Sequence, residues 1–459
     1  MSTRKPHKPR VPKPAPWQDF EQQVVRLLEL KGLRATHDLR LAGRQTDILL
    51  TSSDECVGSV LVECKHHEPD SAKLVGVAEV EDFTARVLRL RSSGDVHTGY
   101  LVTNTDFTAD AKGALLNRPE SKFVFLRTLS SLTRTVIDLT GYLSRLSESF
   151  TTSLYEPLLV TKRGSTASEP LDTAIDEFLG TSNKSILLLQ GDYGTGKTTS
   201  CLYLAQKYAN RALASGLAGR IPCYVPLKYF NYTGSCSALI LKFLADDAHL
   251  YNPNYAAFDA INRAGQVLLI LDGFDEMARR VTRYVRNESF TALSELCHEN
   301  SKVIIAGRPG YFPEYTDLIY TLEALSKSPG FRPAAGSRSS SALPPSPPEN
   351  TLLYSVARLS AEQIRSFLAR RIGPAAPDAS YLDFIISKIE SIYNLAELAT
   401  RPIFLEMISH SIQKLISQES VNIADLYDEY TKLWFEVDAG KGAFRRLITS
   451  EDRFISRLC

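Results

Sequence analysis

What this chain lacks narrows the field first. Its seven cysteines, at 56, 64, 201, 223, 236, 297 and 459, include no CxxC pair. The pattern therefore suggests neither a zinc site nor a disulfide framework, and the odd count fits a reducing compartment. No run of about 18 apolar residues occurs, so no membrane span is expected. The N-terminus is charged without a following apolar stretch, so it is no secretory signal. A large charge of one sign is missing too: 53 Lys and Arg oppose 52 Asp and Glu, for a net +1. Nucleic-acid binding would then need a local basic patch. These absences predict a cytoplasmic protein without a membrane partner.

What is present is an ordinary globular composition, 44% hydrophobic and 23% charged, over 459 residues. That length suggests about three domains. Residues 1–16 read as a basic, disordered tail; TRKPHKPRVPKP at 3–14 holds five Lys or Arg and four Pro. It is either a solvated terminus or a weak phosphate-contacting arm. A first α/β unit spans 17–140. Phe20, Val24, Leu27 and Leu28 recur at helical spacing, and Gly32 is placed to end that helix. Strand signals follow at 45–50, 59–65 and 96–104, with helices over 75–90 and from Phe107, and FVFLRT and TVIDLT as later strand candidates. A linker is expected at 141–160.

A second α/β unit, 161–324, has strand candidates at 185–190, 220–228, 266–272 and 301–308, separated by helical segments. Apolar runs of this kind suit a mainly parallel sheet buried on both faces. Residues 325–350 are rich in Gly, Pro and Ser and read as a flexible loop. From 351 to 435 the chain reads as largely helical, without the 30-residue repetition of a solenoid. The last stretch, 436–459, reads as the truncated start of a further domain.

Two constellations carry chemistry. In VECK, Glu63 and Lys65 lie two apart on a predicted strand and so share a face, with Cys64 pointing the opposite way, into the core. Asp47 stands 16 residues before Glu63; a hairpin between them would set both carboxylates at adjacent strand ends. Hard divalent cations such as Mg²⁺ prefer oxygen ligands, and a nearby ammonium can stabilise developing negative charge or orient an attacking water. The second constellation is GDYGTGKTT, 191–199, which satisfies G-x-x-x-x-G-K-[ST] between a predicted strand and a predicted helix. Gly191, Gly194 and Gly196 let backbone N–H groups curl around phosphate, with Thr195 and Thr199 completing the stretch. Lys197 would reach the β/γ-phosphates and Thr198 would coordinate Mg²⁺. In VLLILDGFDE, Asp272 ends an apolar strand as a magnesium-holding carboxylate should, and either Asp275 or Glu276 could orient the hydrolytic water. Arg308, ending a third strand, reads the γ-phosphate or makes a surface salt bridge.

The first constellation resembles the PD-(D/E)xK nuclease superfamily, particularly its Mrr-like restriction endonuclease branch. WQDFEQQVVRLLELKGL looks like the opening helix, QTDILL and VECK like the metal-binding strands, and GYLVTNTDFTADA like the later strand–turn–helix. The resemblance implies cleavage of double-stranded DNA with Mg²⁺ or Mn²⁺. Asp47 and Glu63 would ligate the metal, Lys65 would stand at the attacking water, and Glu21 would support a metal ligand. Where many relatives place Gln on the following helix, Glu79 and Glu81 occur, as third ligands or solvated groups. His66 and His67 read as exposed or substrate-facing.

LLLQGDYGTGKTT, LLILDGFDEM and KVIIAGRPG match in order the signature segments of NACHT-type nucleoside triphosphatases of the STAND class, and Pro402 in ATRPIFLEMI resembles the proline that packs near adenine. The resemblance implies ATP or dATP binding, an ADP/ATP switch and a homo-oligomer on activation by a trigger the sequence leaves unnamed. STAND proteins commonly hold the closed ADP form with a winged-helix histidine, but the last histidine here is His410, before any plausible winged helix. The whole pattern resembles that of bacterial antiphage proteins joining an Mrr-like effector to a nucleotide switch. A DNA-translocating restriction subunit and a scaffold with an inactive nuclease domain are the competing readings.

Overall fold

The structure, a computed structural model, describes residues 16–37, 40–41, 44–45, 48–52, 58–68, 73–116, 118–149, 155–217, 219–227, 235–279, 293, 295–298, 300–309, 350–372, 379–392, 395–415 and 428. The basic tail through residue 15, the Ser/Pro-rich stretch up to 349 and all of 436–459 lie outside them, as does Asp47. Two compact units are drawn from Met1–Arg145, Ala209–Ile221 and Gly234–Val267, and from Leu146–Tyr208, Pro222–Thr233 and Leu268–Cys459. That cut at Arg145 falls within the stretch read as a linker, which itself holds most of a helix, Thr140–Glu148.

In the first unit, helix α1 (Pro16–Glu29) buries Phe20, Val24, Leu27 and Leu28 on one face, the stripe its spacing predicts. It stops because Gly32 adopts φ +84°, a conformation that L side chains rarely take. Strands β1 (Leu33–His37), β2 (Arg40–Leu41), β3 (Arg44–Gln45), β4 (Ile48–Ser52) and β5 (Ser59–Lys65) follow. Helix α2 (Val77–Ser92) crosses to β6 (Thr98–Thr103), and α3 (Ala109–Leu116) leads to β7 (Val124–Thr128). The sheet runs β1-β4-β5-β6-β7. Its first three strands pair antiparallel and its last three parallel, and β2 and β3 form a separate ribbon.

Helix α2 packs Phe83 and Val87 onto Leu61 and Leu101. Gly99 permits the approach: a Cβ there would lie 2.4 Å from Val87 Cγ2 and 3.0 Å from Phe83 Cζ. TVIDLT is not a strand. Helix α4 (Leu129–Arg134), capped by the Thr128 hydroxyl, precedes it, and α5 (Thr140–Glu148) begins within it. Ile137 and Leu139 are buried in the connection, so their apolar character reflects burial between helices.

The second unit is built on strands β8 (Leu159–Lys162), β9 (Ser168–Pro170), β10 (Ile186–Gln190), β11 (Ile221–Pro226), β12 (Val267–Asp272), β13 (Lys302–Gly307) and β14 (Thr351–Val356), in the order β11-β12-β13-β10-β14-β8-β9. Strands β12, β13, β10 and β14 pair parallel, as expected, while β8 and β9 extend the sheet antiparallel. Every residue of β10, β12 and β13 is buried. The largely helical reading of 351–435 missed β14, a buried strand beside β10.

Between the strands lie α6 (Leu171–Gly180) and α7 (Lys197–Ala214), then α8 (Cys236–Lys242) and α9 (Tyr255–Arg263), which belong largely or wholly to the first unit's residues, and α10 (Phe274–Arg279). Helices α11 (Ala361–Ile372), α12 (Ala379–Ser391), α13 (Leu395–Ala399) and α14 (Pro402–Leu415) share a core of Phe367, Leu368, Ile385, Leu395, Phe404 and Leu405. Lys302, buried at the start of β13, directs Nζ at the carbonyls of Phe178 (2.8 Å), Thr181 (2.5 Å) and Lys184. Its charge thereby terminates α6, where the helix dipole is negative.

The Gly99 contact gives a direct test. Gly99→Val should destabilise the first unit by about 1–3 kcal/mol through overpacking against α2. The measurement is the denaturant midpoint of that unit's unfolding transition; an unchanged midpoint would contradict the close approach.

Candidate functional site

The first candidate site lies at the C-terminal end of β5. Ile48 pairs with Val62, so the hairpin brings the residue after Asp47 opposite the residue before Glu63. Leu61 packs against α2, and the two-residue period puts Glu63 and Lys65 on the same face. Glu63 is 8% exposed, and its Oε1 lies 2.8 Å from Lys65 Nζ. Its Oε2 accepts a hydrogen bond from Arg86 Nη2, on the third turn of α2. Cys64 is half-buried rather than sealed in the core, because the strand is ending there.

Beyond the strand, the His66 ring meets Phe20 of α1 at 5.8 Å between centroids. The backbone N–H of His67 donates to Asn104 Oδ1 (2.9 Å) while Asn104 Nδ2 donates to the His67 carbonyl (2.8 Å). Burial, then Lys73, lowers the His67 pKa from its ordinary value. The acidic residues of α2 have local partners: Glu79 accepts from the Gly76 N–H and caps the helix, and Glu81 pairs with Arg118 at 2.7 Å. Glu21 is half-buried on α1. Among the described residues no three His, Cys, Asp or Glu side chains form a metal-binding group. Glu63 offers hard oxygen donors that suit Mg²⁺ or Mn²⁺, but both oxygens already face cations.

The second candidate site follows β10. Gly194 and Gly196 adopt φ +76° and +88°, so only glycine bends the loop without strain. A Cβ on Gly191 would strike Thr195 Oγ1 at 2.6 Å. Thr195 closes the turn by donating to the Asp192 carbonyl at 2.9 Å. Helix α7 then opens with Lys197, Thr198 and Thr199 in its first turn. Lys197 Nζ turns back on its own loop, donating to the carbonyls of Gly191 (2.6 Å) and Asp192 (2.9 Å).

Asp272, at the end of β12, is hydrogen-bonded by the hydroxyls of Thr198 and Tyr224, the latter at 3.0 Å. Asp275 is buried and pairs with Arg308 Nε at 2.8 Å. The Arg308 guanidinium also lies 5.1 Å from the centre of the Tyr193 ring. Glu276 folds over Gly273, whose missing Cβ would lie 3.4 Å from its Oε2. Pro402 heads α14, and a Cβ on Gly196 would stand 3.5 Å from both Pro402 Cγ and Leu158 Cδ1. The Ile403 N–H donates to the Gly194 carbonyl at 3.3 Å.

Asp272 and Asp275 are buried here, while Lys197 and Arg308 are only partly withdrawn from water. Burial raises the Asp272 pKa above the ordinary carboxylate value, opposed by the Thr198 and Tyr224 hydroxyls. Burial likewise lowers the Lys197 pKa, opposed by Asp275. A hydroxyl and a carboxylate in contact fit an octahedral Mg²⁺ that keeps several waters, and a desolvated ammonium at a glycine turn fits a phosphate. Sequence reasoning found Lys197, Thr198, Asp272 and Arg308 from their motifs. Tyr224, Leu158 and Ile403 carry no motif, and neither does Arg86.

Comparison with known proteins matches two separate segments of the chain. A restriction endonuclease family model, Mrr_cat, matches residues 13–131, and a NACHT domain model matches 185–331. The chain is a fusion of a nuclease domain with a nucleoside triphosphatase domain. It carries an N-terminal Mrr-type restriction endonuclease domain followed by a NACHT domain. An uncharacterized WD repeat-containing protein of Nostoc sp. (strain PCC 7120) is 26% identical over 261 residues, 56% of this chain and 16% of that protein. The chain thus spans about a sixth of that relative's length. Among solved structures, a Walker-type ATPase of Pyrococcus abyssi is 13% identical, with 62% of this chain and 75% of that one covered at a TM-score of 0.31. A protein of unknown function, AF1548, is 22% identical, with 24% and 59% covered at 0.21. No described helix is long and apolar enough to cross a membrane.

Two outcomes test the electrostatics. Tyr224→Phe leaves a buried carboxylate with one donor fewer; it should cost about 1–2 kcal/mol of stability and weaken Mg²⁺-dependent nucleotide binding, read by denaturation and by nucleotide titration with and without Mg²⁺. Asp272→Asn should stabilise the nucleotide-free chain at neutral pH. A carboxyl whose folded pKa is raised contributes nothing where both states are protonated, and destabilises as pH rises past its unfolded pKa. The gain should therefore vanish as the pH of the melting experiment falls into the ordinary carboxylate range.

Proposed function

We propose that the protein is a nucleotide-controlled DNA endonuclease of bacterial antiphage defence. ATP binding and self-assembly would switch on metal-dependent cleavage of double-stranded DNA. One observation carries the reading: the same chain joins an Mrr-type domain bearing Glu63 and Lys65 at a strand end to a NACHT domain with its phosphate loop, Asp272 and Arg308 in place. The proposed boundaries are a nuclease domain over 17–140, a nucleotide core over 161–324 and a helical region over 351–435.

In the nuclease, Asp47 and Glu63 hold the divalent cation, with Glu21 as support. Bound there, the cation would polarise the scissile phosphate and activate water. Lys65 orients that water and meets the negative charge that develops on phosphate. DNA is held mainly by Lys and Arg contacts to its backbone, so binding weakens with salt. Assembly would bring two nuclease sites to opposite strands by raising their local concentration.

In the nucleotide core, Gly191, Gly194 and Gly196 let the backbone N–H groups of the loop that includes Thr195 curl around phosphate. Lys197 leaves its loop carbonyls for the β/γ-phosphates, Thr198 and Asp272 hold Mg²⁺, and Thr199 closes the first turn. Pro402 and Leu158 flank the base, adenine in ATP, dATP or ADP. The Asp275–Arg308 pair favours Glu276 as the group that orients the hydrolytic water, since Asp275 already spends its charge on the γ-phosphate reader. This chemistry needs no membrane and belongs in the cytoplasm.

The test is cleavage of a long duplex across protein concentration, with and without ATP, Mg²⁺ or Mn²⁺, and a phage-infected extract as source of the trigger. Glu63→Ala and Lys65→Ala should lose cleavage by about 100-fold or more while keeping nucleotide binding and assembly. Lys197→Ala should lose most ATP binding, and with it activated cleavage. Equal cutting by wild type and both nuclease variants at matched assembly would exclude the assigned nuclease site. Continuous DNA-stimulated ATP turnover with displacement of a DNA-bound block would favour a translocating motor instead.

A further inference from the structure

The nuclease site contains a residue that neither its motif nor the family comparison assigns. Arg86 stands on α2 between Phe83 and Val87, both wholly buried, so the packing of the helix fixes its root. Its guanidinium lies 5.8 Å from the Phe83 ring centre and its side chain is 16% exposed. One Nη2 hydrogen bond goes to Glu63 Oε2, whereas its Nε is buried and has no acceptor among the described residues. Lys65 holds the other oxygen of the same carboxylate. Glu63 is thus enclosed by two cations, and the pair around it carries a net positive charge.

That arrangement opposes a divalent cation. An incoming metal ion must either displace one of the two side chains or sit beside them at close range, where like charges in a partly buried site repel strongly. A phosphodiester removes the obstacle by supplying an acceptor for a guanidinium, whose planar fork suits phosphate oxygens. We infer that Arg86 is a positioning residue that makes metal loading at Glu63 depend on DNA: it covers Glu63 Oε2 in the DNA-free chain and passes to a DNA phosphate when a duplex arrives. The inference rests on the reading of Glu63 and Lys65 as nuclease residues. By linkage, whatever factor DNA adds to metal affinity, metal adds to DNA affinity. Free protein would hold little metal, and the complete centre would form only on substrate.

The experiment measures Ca²⁺ binding to the full chain without nucleotide, by calorimetric titration, in the presence and absence of a short duplex. The binding attributed to this site is the part lost in Glu63→Gln. Arg86→Gln removes the charge and Arg86→Lys retains it; thermal melts establish that each variant is folded. Without DNA, Arg86→Gln should bind Ca²⁺ about tenfold more tightly than wild type, the scale of one lost repulsive contact in a partly buried site. Duplex should tighten wild-type binding by about tenfold and Arg86→Gln binding by under about threefold, with Arg86→Lys in between. Glu63-dependent binding that is equal or weaker in Arg86→Gln without DNA overturns the role given to Arg86 and leaves the nuclease reading standing. Binding that Glu63→Gln does not reduce, with or without duplex, overturns the nuclease reading and the inference together.

Discussion

Asp272 holds a carboxylate at the edge of a strand whose every residue is buried, and the nucleotide site depends on how that charge is accommodated. An isolated carboxylate withdrawn from water is costly, and burial here does push its pKa upward. The Thr198 and Tyr224 hydroxyls oppose the shift without abolishing it. Lys197 faces the mirror problem, an ammonium whose pKa burial lowers. Each group is satisfied only in part by the protein. A bound nucleotide with its magnesium would supply the missing partners of both, so the same desolvation that weakens the empty site strengthens the occupied one.

Parallel strands explain why such charges can be held at all. Strands β10, β12 and β13 are apolar through their middles; apart from Lys302, which opens β13, their polar groups stand at or just past their C-terminal ends, at Gln190, Asp272 and Arg308. Their C-terminal edge therefore gathers the phosphate loop, the acidic end of β12 and Arg308 within reach of one another. In the nuclease unit β5 follows the same plan on a smaller scale. Leu61 anchors the strand under α2, and Glu63 and Lys65 emerge two and four residues later, where the covering thins.

This plan makes much of the molecule legible from its sequence. GDYGTGKTT is readable because positive φ at Gly194 and Gly196 excludes most other residues, so the geometry is written in residue type. The ends of β5, β10, β12 and β13 are readable because apolar runs stop at charged or polar residues. Tyr224 and Arg86 were not legible for the opposite reason. Each acts through a partner distant in sequence, 48 and 23 residues away, and nothing in the local pattern marks it. Strand β14 was hidden because it pairs with β10 across a long separation, and TLLYSV after a Ser/Pro-rich stretch gives no period of its own. TVIDLT erred conversely: its β-branched residues suit a strand, but the burial of Ile137 and Leu139 between two helices decided their conformation. Glu79 and Glu81 show the limit of composition, since two acidic residues in the expected place prove to be a helix cap and an ion-pair partner.

The two sites share one further physical feature. In each, a cation suited to phosphate lies on an acceptor inside the protein: Lys197 on the Gly191 and Asp192 carbonyls, Arg86 on Glu63. Such storage keeps a buried charge from being unpaired, which would cost more than any exposed ion pair returns. It also fixes how the site responds to ligand. Phosphate must outcompete an internal partner, so affinity falls while discrimination rises: a ligand with a weaker or misplaced anion cannot pull the cation away. At Lys197 the internal partner is a pair of neutral carbonyls and the exchange with a polyphosphate is favourable. At Arg86 the partner is a full carboxylate, and a single diester phosphate is a more even match. On the proposed exchange, the balance at Glu63 would be tipped only when a second cation takes the place that Arg86 vacates. On that reading the nuclease half would be the more tightly conditional of the two, by the chemistry of its own acceptor.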